Sequence, residues 1–236
     1  MKLQHITFTG IDGKTDINAL AAIQSEFPIA EFGVLTSYHW YENGNRYLNP
    51  QFIPNLNGSN LNLSLHLCGS MAHDAAEGLW NKVNNHVLNN LRLFKRVQLN
   101  VAERTDNPSR IASTPSTHTE LIIQQKSGNT KLYDDSIWIG MVSVLLDDSG
   151  GRGIDTQIEV RPIIGKVGYA GGISPDNVAD KLSYLLQHDK VGDFWIDMES
   201  GVRTDDWFDI DKVYKVLQTC KPIIEEYNKE GLQWKR

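Results

Sequence analysis

The sequence predicts an α/β fold, a single closed (β/α)8 barrel that spans residues 1–236. Eight strand candidates alternate with helix candidates along the chain, and this number favours a closed barrel over an open sheet. The 236 residues, 40% of them hydrophobic, suffice to bury one full core. We expect one domain because no Pro/Gly/Ser-rich linker and no block of like charges divides the chain.

The predicted strands are short apolar or alternating segments. They cover residues 6–11, 31–37, 61–69, 96–101, 120–125, 141–146, 166–170 and 193–198. In 61–69 a leucine stands at every second position, so we expect these leucines to face outer helices while His66 and Cys68 face the barrel interior. The segment 38–60 is polar, rich in aromatic residues and long for a connection, which is typical of a functional loop.

Capping residues, and apolar residues at helical spacing, predict helices between the strands. Asp16 or Thr15 caps the first helix, before the second strand. A long helix is predicted at 73–94, where apolar residues recur every four positions. The closing helix begins near Asp209, and Pro222 should kink it or split it in two.

Composition and charge argue against several classes of function. The formal net charge of −6 argues against a nucleic-acid partner, because phosphate backbones are bound by clustered Lys and Arg. No apolar run resembles a secretory signal or is long enough to span a membrane, so we expect a soluble, cytoplasmic protein. Cys68 and Cys220 form neither a disulfide framework nor a zinc-ligand set. We expect no metal and no cofactor, and the oligomeric state stays open.

A candidate anion site follows the seventh predicted strand. Gly171 and Gly172 let the backbone approach a ligand closely, and Ser174 with Pro175 forms a helix start. An open helix N-terminus presents unpaired N–H groups, so a phosphate could bind there. Asp176 in the first turn argues mildly against it, and an ordinary tight turn is the alternative.

Two further positions are candidates for chemistry. Asp147 and Asp148 end the sixth predicted strand, where carboxylates are costly if buried without a partner and therefore should meet solvent or a ligand. Cys68 should lie near the C-terminal rim, where such barrels place their active sites. The alternative is a small buried cysteine beside a hydrogen-bonded core histidine, His66.

Three motifs occur in a familiar order. They are LLDDSGGRG at 145–153, GYAGGISPDNV at 168–178 and IDMESGVRTDDWFDIDKV at 196–213. In order and spacing they resemble the last third of the phosphoribosylanthranilate isomerase family, a TIM barrel of tryptophan biosynthesis. Weaker similarity covers most of the remaining barrel: FTGID, EFGVL and VQLN resemble turns and strands of its first half, and Asn45-Arg46-Tyr47 resembles the loop after its second strand.

The resemblance implies an isomerase that acts on a small phosphorylated sugar compound by an Amadori-type rearrangement. In this reaction an acid protonates the ribose ring oxygen and a base removes a proton from C2. Asp147 corresponds to the acid. The phosphate would be bound by backbone N–H groups of Gly171, Gly172, Ser200 and Gly201, which coincides with the anion site inferred from the residues themselves.

The resemblance also implies a set of substrate-binding side chains. Asp197 corresponds to the contact with the substrate amine, and Arg46 lies in the long loop after the second strand. We also expect two other side chains to bind the substrate: Glu199, beside the phosphate loop, and Arg152, which departs from the family by intruding into the glycine-rich loop.

The chain departs from the family at the base. Thr9 replaces a first-strand cysteine, and a hydroxyl is far too weak an acid to act as a thiolate would. Asn100 replaces a fourth-strand histidine, and Arg203 stands where an acidic residue is common. Cys68, on the third strand, and Asp12, just beyond the first-strand turn, are the two candidates for the missing base.

Two classes of function therefore remain open after the sequence. One is an isomerase, or a related lyase or epimerase, with Asp147 as its acid. The other is a barrel that has lost its base and only binds a phosphorylated ligand. Asp147, Asp197 and Glu199 would crowd carboxylates at one rim, and this costly arrangement favours the enzyme.

Overall fold

The protein is a closed barrel of eight parallel strands, in agreement with the predicted fold. The computed structural model describes residues 3–42, 44–100, 119–125, 142–147, 149, 153–160, 165–188 and 192–233. The barrel strands are β1 (Leu3–Thr9), β2 (Ala30–Thr36), β3 (Leu63–Cys68), β4 (Arg96–Asn100), β5 (Glu120–Gln125), β6 (Ser143–Asp147), β7 (Val167–Ala170) and β8 (Phe194–Met198). Each strand pairs with the next, and β8 pairs with β1. The predicted strands are therefore confirmed to within about two residues at most ends.

Five α-helices are described around this barrel. They are α1 (Ile17–Glu26), α2 (Gly69–Ala76), α3 (Trp80–His86), α4 (Val178–His188) and α5 (Ile210–Gln233). Short 3-10 helices cover Trp40–Glu42, Pro50–Leu56, Leu91–Leu93 and Ser200–Val202. After the last of these, β9 (Arg203–Thr204) and β10 (Trp207–Phe208) form a small antiparallel hairpin. Within the described ranges, no helix is both long and apolar enough to cross a membrane.

Helix α1 begins as the sequence predicts. The Asp16 carboxylate accepts hydrogen bonds from the backbone N–H groups of Asn18 and Ala19, at 2.9 and 3.3 Å. These bonds satisfy two of the donors that every helix start leaves without a partner. Leu20 and Ile23 then bury the inner face of the helix. Of the two predicted caps, Asp16 is the one that acts.

The long helix predicted at 73–94 is wrong. Helix α2 starts at Gly69 and ends before Gly78, whose φ of +78° is the left-handed conformation that commonly terminates helices. Helix α3 is stopped by Leu88 and Asn89, at φ +53° and +59°. The spacing of apolar residues predicts which face of a helix is buried, but it does not predict the left-handed residues at which these helices end. Of the two outcomes predicted for Pro222, the split does not occur, because α5 runs continuously through it.

Strand β3 alternates as predicted. Leu65 and Leu67 are fully buried in the hydrophobic core that the barrel shares with its helices. Ser64 and His66 are buried on the opposite face, inside the barrel, and the Ser64 hydroxyl lies 3.1 Å from His66 Nε2. The period of two therefore places the polar side chains of this strand in the interior.

A buried ion pair crosses the barrel interior away from the strands' C-terminal ends. Arg96 Nη1 donates to Glu31 Oε1 at 2.8 Å, and both side chains are at most 4% exposed. The Thr7 hydroxyl donates to the same Glu31 oxygen at 2.9 Å. The Arg96 guanidinium also lies 4.1 Å from the centre of the Trp195 ring, a cation–π contact. Four strands are thereby tied together through polar contacts that water does not reach.

Candidate functional site

A cavity of about 420 Å³ opens at the C-terminal ends of the barrel strands. The sequence-predicted site residues that line it are Arg46, Cys68, Asp147, Gly171, Gly172, Asp197, Glu199, Ser200 and Gly201. Asp12 is not among the lining residues, and Arg152 lies outside the described residues. The inward-facing side chains at the strand ends meet the backbone of the loops after β7 and β8. This is the face on which barrels of this kind carry their chemistry.

The loops after β6, β7 and β8 pack so closely that the glycines of the last two are required. Gly172 has a φ of +63°, and a Cβ placed there would collide with the backbone of Asp155. A Cβ on Gly201 would likewise collide with the carbonyl oxygen of Ile173. Within the described ranges, the backbone N–H groups of Gly172 and Gly201 donate no hydrogen bond. Such N–H groups can bind an anion.

The N-terminus of α4 is closed rather than open. The Ser174 hydroxyl accepts from Asp176 N at 3.3 Å, while Asn177 Oδ1 accepts from Ser174 N at 2.8 Å. The helix begins only at Val178. The side chains of Ser174 and Asn177 therefore use the first donors of this turn, and the prediction of an open helix start is corrected. Any anion at this end would depend on the glycine backbone of the two loops.

Asp147 is held by donors from two elements. Gln124 Nε2, on β5, donates to Oδ2 at 2.6 Å. Ser149 donates to Oδ1 from its backbone N–H at 3.1 Å and from its hydroxyl at 2.7 Å. These contacts fix the direction in which the carboxyl group faces the cavity.

Asp197 lies across the cavity on β8 and is almost fully buried. Its Oδ1 accepts a hydrogen bond from the Thr9 hydroxyl, on β1, at 2.7 Å. Burial, assisted by the carboxylates of Glu31 and Glu199, raises the pKa of Asp197 to about 8, although Thr9 and Arg96 oppose the shift. Asp197 therefore carries a proton in much of the folded population at neutral pH.

This raised pKa predicts how Asp197→Asn changes stability. An ordinary Asp in the unfolded chain ionises at about pH 4, whereas folded Asp197 keeps its proton up to about pH 8. The folding contribution of this group is present below the lower value and is lost as the pH rises through the higher one. We expect Asp197→Asn to raise the free energy of unfolding at pH 8 by an amount on the order of a few kcal/mol, and hardly at pH 4. Urea unfolding at both pH values measures this difference. If the variant and the wild type differed in free energy of unfolding by the same amount at both pH values, the prediction would be contradicted.

Glu199 and Arg46 join two loops at the rim. Arg46 Nη1 donates to Glu199 Oε1 at 3.1 Å and lies 3.3 Å from the Ser200 hydroxyl. Arg46 Nε donates to Asp206 Oδ1 at 2.8 Å. Burial, with a contribution from the Asp147 carboxylate, raises the pKa of Glu199, while Arg46 and Arg203 counter the shift. The long loop after β2 is thus fastened to the loop after β8, with Arg46 already paired.

Cys68 lies in the cavity wall, where its surroundings favour the thiol. Asn100 Nδ2 donates to Sγ at 3.2 Å, and Tyr47 forms a second hydrogen bond with the sulfur. Burial raises the pKa of Cys68, and Glu199 adds to the effect. The neighbouring His66 is neutral, because burial and the Arg96 charge lower its pKa to about 3. Neither group is well suited to accept a proton.

Asp12 lies outside the cavity, where its carboxylate stabilises the contact between two loops. Its Oδ2 accepts from Phe208 N at 2.7 Å and lies 3.4 Å from Arg203 Nη2, while Oδ1 accepts from Lys14 N at 3.0 Å. Arg203 in turn donates to the carbonyl oxygen of Gly10 at 2.6 Å. The carboxylate thereby fastens the loop after β1 to the β9–β10 hairpin. The structure does not bring Asp12 to the other candidate catalytic residues.

Sequence reasoning missed the two glutamines of the cavity wall. Gln124 positions Asp147, and Gln98 donates from Nε2 to Asn100 Oδ1 at 2.8 Å. Gln98 lies between Val97 and Leu99, and this alternation is the available signal that its side chain faces the barrel interior, whereas Gln124 stands beside Gln125 and has no such signal. Among the described residues, no group of three or more His, Cys, Asp or Glu side chains could hold a metal ion.

Several solved structures of phosphoribosylanthranilate isomerases are similar to this chain over nearly its whole length. One, in complex with reduced 1-(o-carboxyphenylamino)-1-deoxyribulose 5-phosphate, has 17% sequence identity and a TM-score of 0.58, covering 94% of this chain and 100% of that chain. The enzyme from Thermotoga maritima has 17% identity and a TM-score of 0.61, covering 94% and 99%. The enzyme from Pyrococcus furiosus has 15% identity and a TM-score of 0.59, covering 93% and 99%. No protein-family model and no curated protein matches the sequence. The chain therefore has the (β/α)8 fold of the phosphoribosylanthranilate isomerases.

Proposed function

We propose that the protein is an isomerase of a small phosphorylated sugar compound, which it converts from an aldose to a ketose by an Amadori-type rearrangement. One observation carries the proposal. A single cavity joins backbone N–H donors at Gly172 and Gly201 to the carboxyl groups of Asp147 and Asp197. An anion-binding end and a proton-transfer end are what such a substrate requires.

The volume and polarity of the cavity suit this class of ligand. About 420 Å³ is within the range of small-molecule sites and holds a pentose phosphate with a modest substituent. The phosphate would bind to the backbone of Gly171, Gly172, Ser200 and Gly201. The sugar would then extend toward β6 and β8, so that its reacting carbons face the carboxyl groups.

Asp147 is the proposed general acid. The Ser149 hydroxyl, 2.7 Å from Oδ1, can accept a hydrogen bond as well as donate one. A proton on Asp147 therefore has a partner until it passes to the ring oxygen of the sugar. Asp197, Glu199, Arg46 and the glycine-loop Arg152 are the proposed substrate-binding side chains.

The protein is proposed to work in a reducing cytoplasm, and its partner is proposed to be a small molecule. Cys68 and Cys220 are both free thiols, and the net charge of −6 does not favour nucleic acid. Phosphoribosylanthranilate is the first candidate substrate, because the chain combines the isomerase fold with the three C-terminal motifs.

Turnover of phosphoribosylanthranilate by the purified protein tests the proposal. We expect saturable conversion to the amino-ketose phosphate, and we expect the analogue without phosphate to lose turnover as well as binding. Tight binding of the phosphorylated compound without any turnover would instead favour a barrel that only binds its ligand. Failure of every aldose phosphate tried to bind would contradict both readings.

The anion end is tested by Gly172→Ala. The added Cβ meets the backbone of Asp155, so the loop must move and its N–H groups lose their alignment. We expect inorganic phosphate to inhibit or bind roughly ten- to a hundredfold more weakly. Gly13→Ala is the matched control, because its Cβ would meet only the Phe52 ring at an ordinary 3.6 Å. Equal phosphate affinity in all three proteins would place the anion elsewhere.

A further inference from the structure

We propose that Asp197, oriented by Thr9, is the general base of the reaction. The inference rests on the proposed isomerase function and supplies the group that the sequence leaves unassigned. Strand β8 would thus provide the proton acceptor, while Thr9 on β1 serves as its positioning residue.

The pairing of β1 with β8 brings the two side chains together. Thr7 is the register partner of Asp197, so Thr9 stands one side-chain repeat further toward the cavity. Thr9 Oγ1 donates to Asp197 Oδ1 at 2.7 Å, and both residues line the cavity. Gly33 on β2 makes this possible, because a Cβ there would lie 2.6 Å from Thr9 Oγ1.

Asp197 has an oxygen left for the substrate. Thr9 holds Oδ1, and within the described ranges Oδ2 accepts no hydrogen bond. Asp147 differs, since both of its oxygens accept hydrogen bonds from Gln124 and Ser149. Glu199 differs as well, because its charge is paired with Arg46.

The remaining titratable groups of the cavity wall are poor acceptors. Cys68 is a buried thiol that Asn100 and Tyr47 already bind, and a thiol must lose its proton before it can act as a base. His66 is buried, hydrogen-bonded to Ser64, and has a pKa lowered to about 3. Geometry and hydrogen bonding therefore both favour Asp197 as the proton acceptor.

The proton-transfer step balances. After Asp147 protonates the ring oxygen and the ring opens, the substrate carries an iminium group at C1. The C2–H bond breaks, its proton passes to Asp197, and its electron pair forms a C1–C2 double bond as the iminium π pair moves onto nitrogen. The resulting enol returns to the ketone at C2 by losing its hydroxyl proton to solvent while C1 gains a proton from Asp197. No oxidant or second reactant is needed.

The charges around Asp197 tune its strength as a base. Glu31 on β2 and Glu199 beyond β8 raise its pKa, whereas Arg96 on β4 and the Thr9 hydroxyl lower it. A carboxylate with a pKa of about 8 accepts a proton more readily than an ordinary one, and it works near the physiological pH range. Because the base must be ionised before it acts, Asp197 would set the acidic limb of the pH profile of kcat/KM.

The first test is Thr9→Val, with Thr9→Ser as the conservative variant. Valine keeps the shape but removes the donor that stabilises ionised Asp197. We expect the midpoint of the acidic limb to move upward by about one to two pH units. Thr9→Ser keeps a hydroxyl and should keep the wild-type midpoint. A shift of the alkaline limb instead would make Asp197 the acid, and no shift in either limb would overturn the proposal.

The second test uses Asp197→Asn and includes a titration that does not depend on turnover. Infrared titration should show a carboxyl band that disappears in Asp197→Asn and that titrates at higher pH in Thr9→Val than in the wild type. We expect Asp197→Asn to lower kcat by about 10²- to 10⁴-fold. If the titration behaves as expected and no phosphorylated sugar is turned over, the proposed function fails while the Thr9–Asp197 pairing stands. If turnover survives Asp197→Asn undiminished, the assignment of the base is wrong.

Discussion

Asp147→Asn is expected to lower the turnover number by about 10²- to 10⁴-fold, the usual contribution of a general acid. Asparagine has nearly the same shape and keeps an oxygen that can accept from Gln124 or Ser149, so the fold and the cavity should persist. Its amide has no acidic proton to give to the ring oxygen. Steady-state kinetics with the phosphorylated substrate measure the effect as a loss in kcat with little change in phosphate affinity.

The control for this variant is Asp176→Asn. Asp176 is an exposed carboxylate whose surface pair with Lys215 spans 3.2 Å, and it lies outside the cavity. It should keep wild-type kinetics, so that a loss in Asp147→Asn reports the chemistry rather than the charge. Undiminished kcat in Asp147→Asn would show that another group protonates the substrate.

Arg96→Met is expected to destabilise the protein by about 3–5 kcal/mol. Methionine fills a similar volume, but it leaves the Glu31 carboxylate buried inside the barrel, where the Thr7 hydroxyl at 2.9 Å is the one hydrogen-bond donor left to it within the described ranges. A buried charge without its partner costs far more than an exposed one. Urea unfolding at neutral pH measures the change in the free energy of unfolding.

Two further variants separate loss of the pair from loss of packing. Glu31→Leu combined with Arg96→Met removes both charges and should recover most of the stability. Lys215→Met breaks the exposed pair with Asp176 and should change stability by only about 0–1 kcal/mol. A double variant that is as unstable as Arg96→Met alone would contradict this account. It would show that Arg96 stabilises the barrel by packing against the Trp195 ring and not through its ion pair.

The fold was predictable because its signals are local. Period-two alternation in 61–69 placed His66 and Cys68 inside the barrel, and a carboxylate cap fixed the start of α1. Gly171 and Gly172 predict a backbone that a ligand can approach closely, and the structure places the loops after β7 and β8 at the same cavity. A glycine pair at a strand end can be interpreted from one short segment, because the conformational freedom of glycine is a local property.

Sequence reasoning reaches its limit where distant or competing contacts decide. The sequence makes Asp12 a candidate base, but it does not reveal its partners Arg203 and Phe208, which lie about 190 residues away in sequence. The N-terminus of α4 was predicted to be open, yet Asn177 folds back on Ser174 and occupies it. Side-chain capping of this kind competes with any ligand for the same donors.

The contact between Thr9 and Asp197 also could not be predicted from the sequence. It depends on closure of the barrel, which sets β8 beside β1 across 188 positions of the chain. Burial then raises the pKa of Asp197, and no local pattern reports burial of that kind. The pairing of β1 with β2 sets Gly33 opposite Thr9, and the missing side chain of Gly33 leaves the space that Thr9 occupies.

A crystal structure of the protein in complex with a reduced amino-ketose phosphate tests the central claim most directly. We expect the phosphate oxygens within hydrogen-bond distance of the backbone N–H groups of Gly172 and Gly201. The carbon that corresponds to C2 should face Asp197 Oδ2, with the sugar oxygens nearer Asp147. A phosphate bound by the Arg46 guanidinium, with the glycine loops free and the carboxyl groups away from the sugar, would contradict the account.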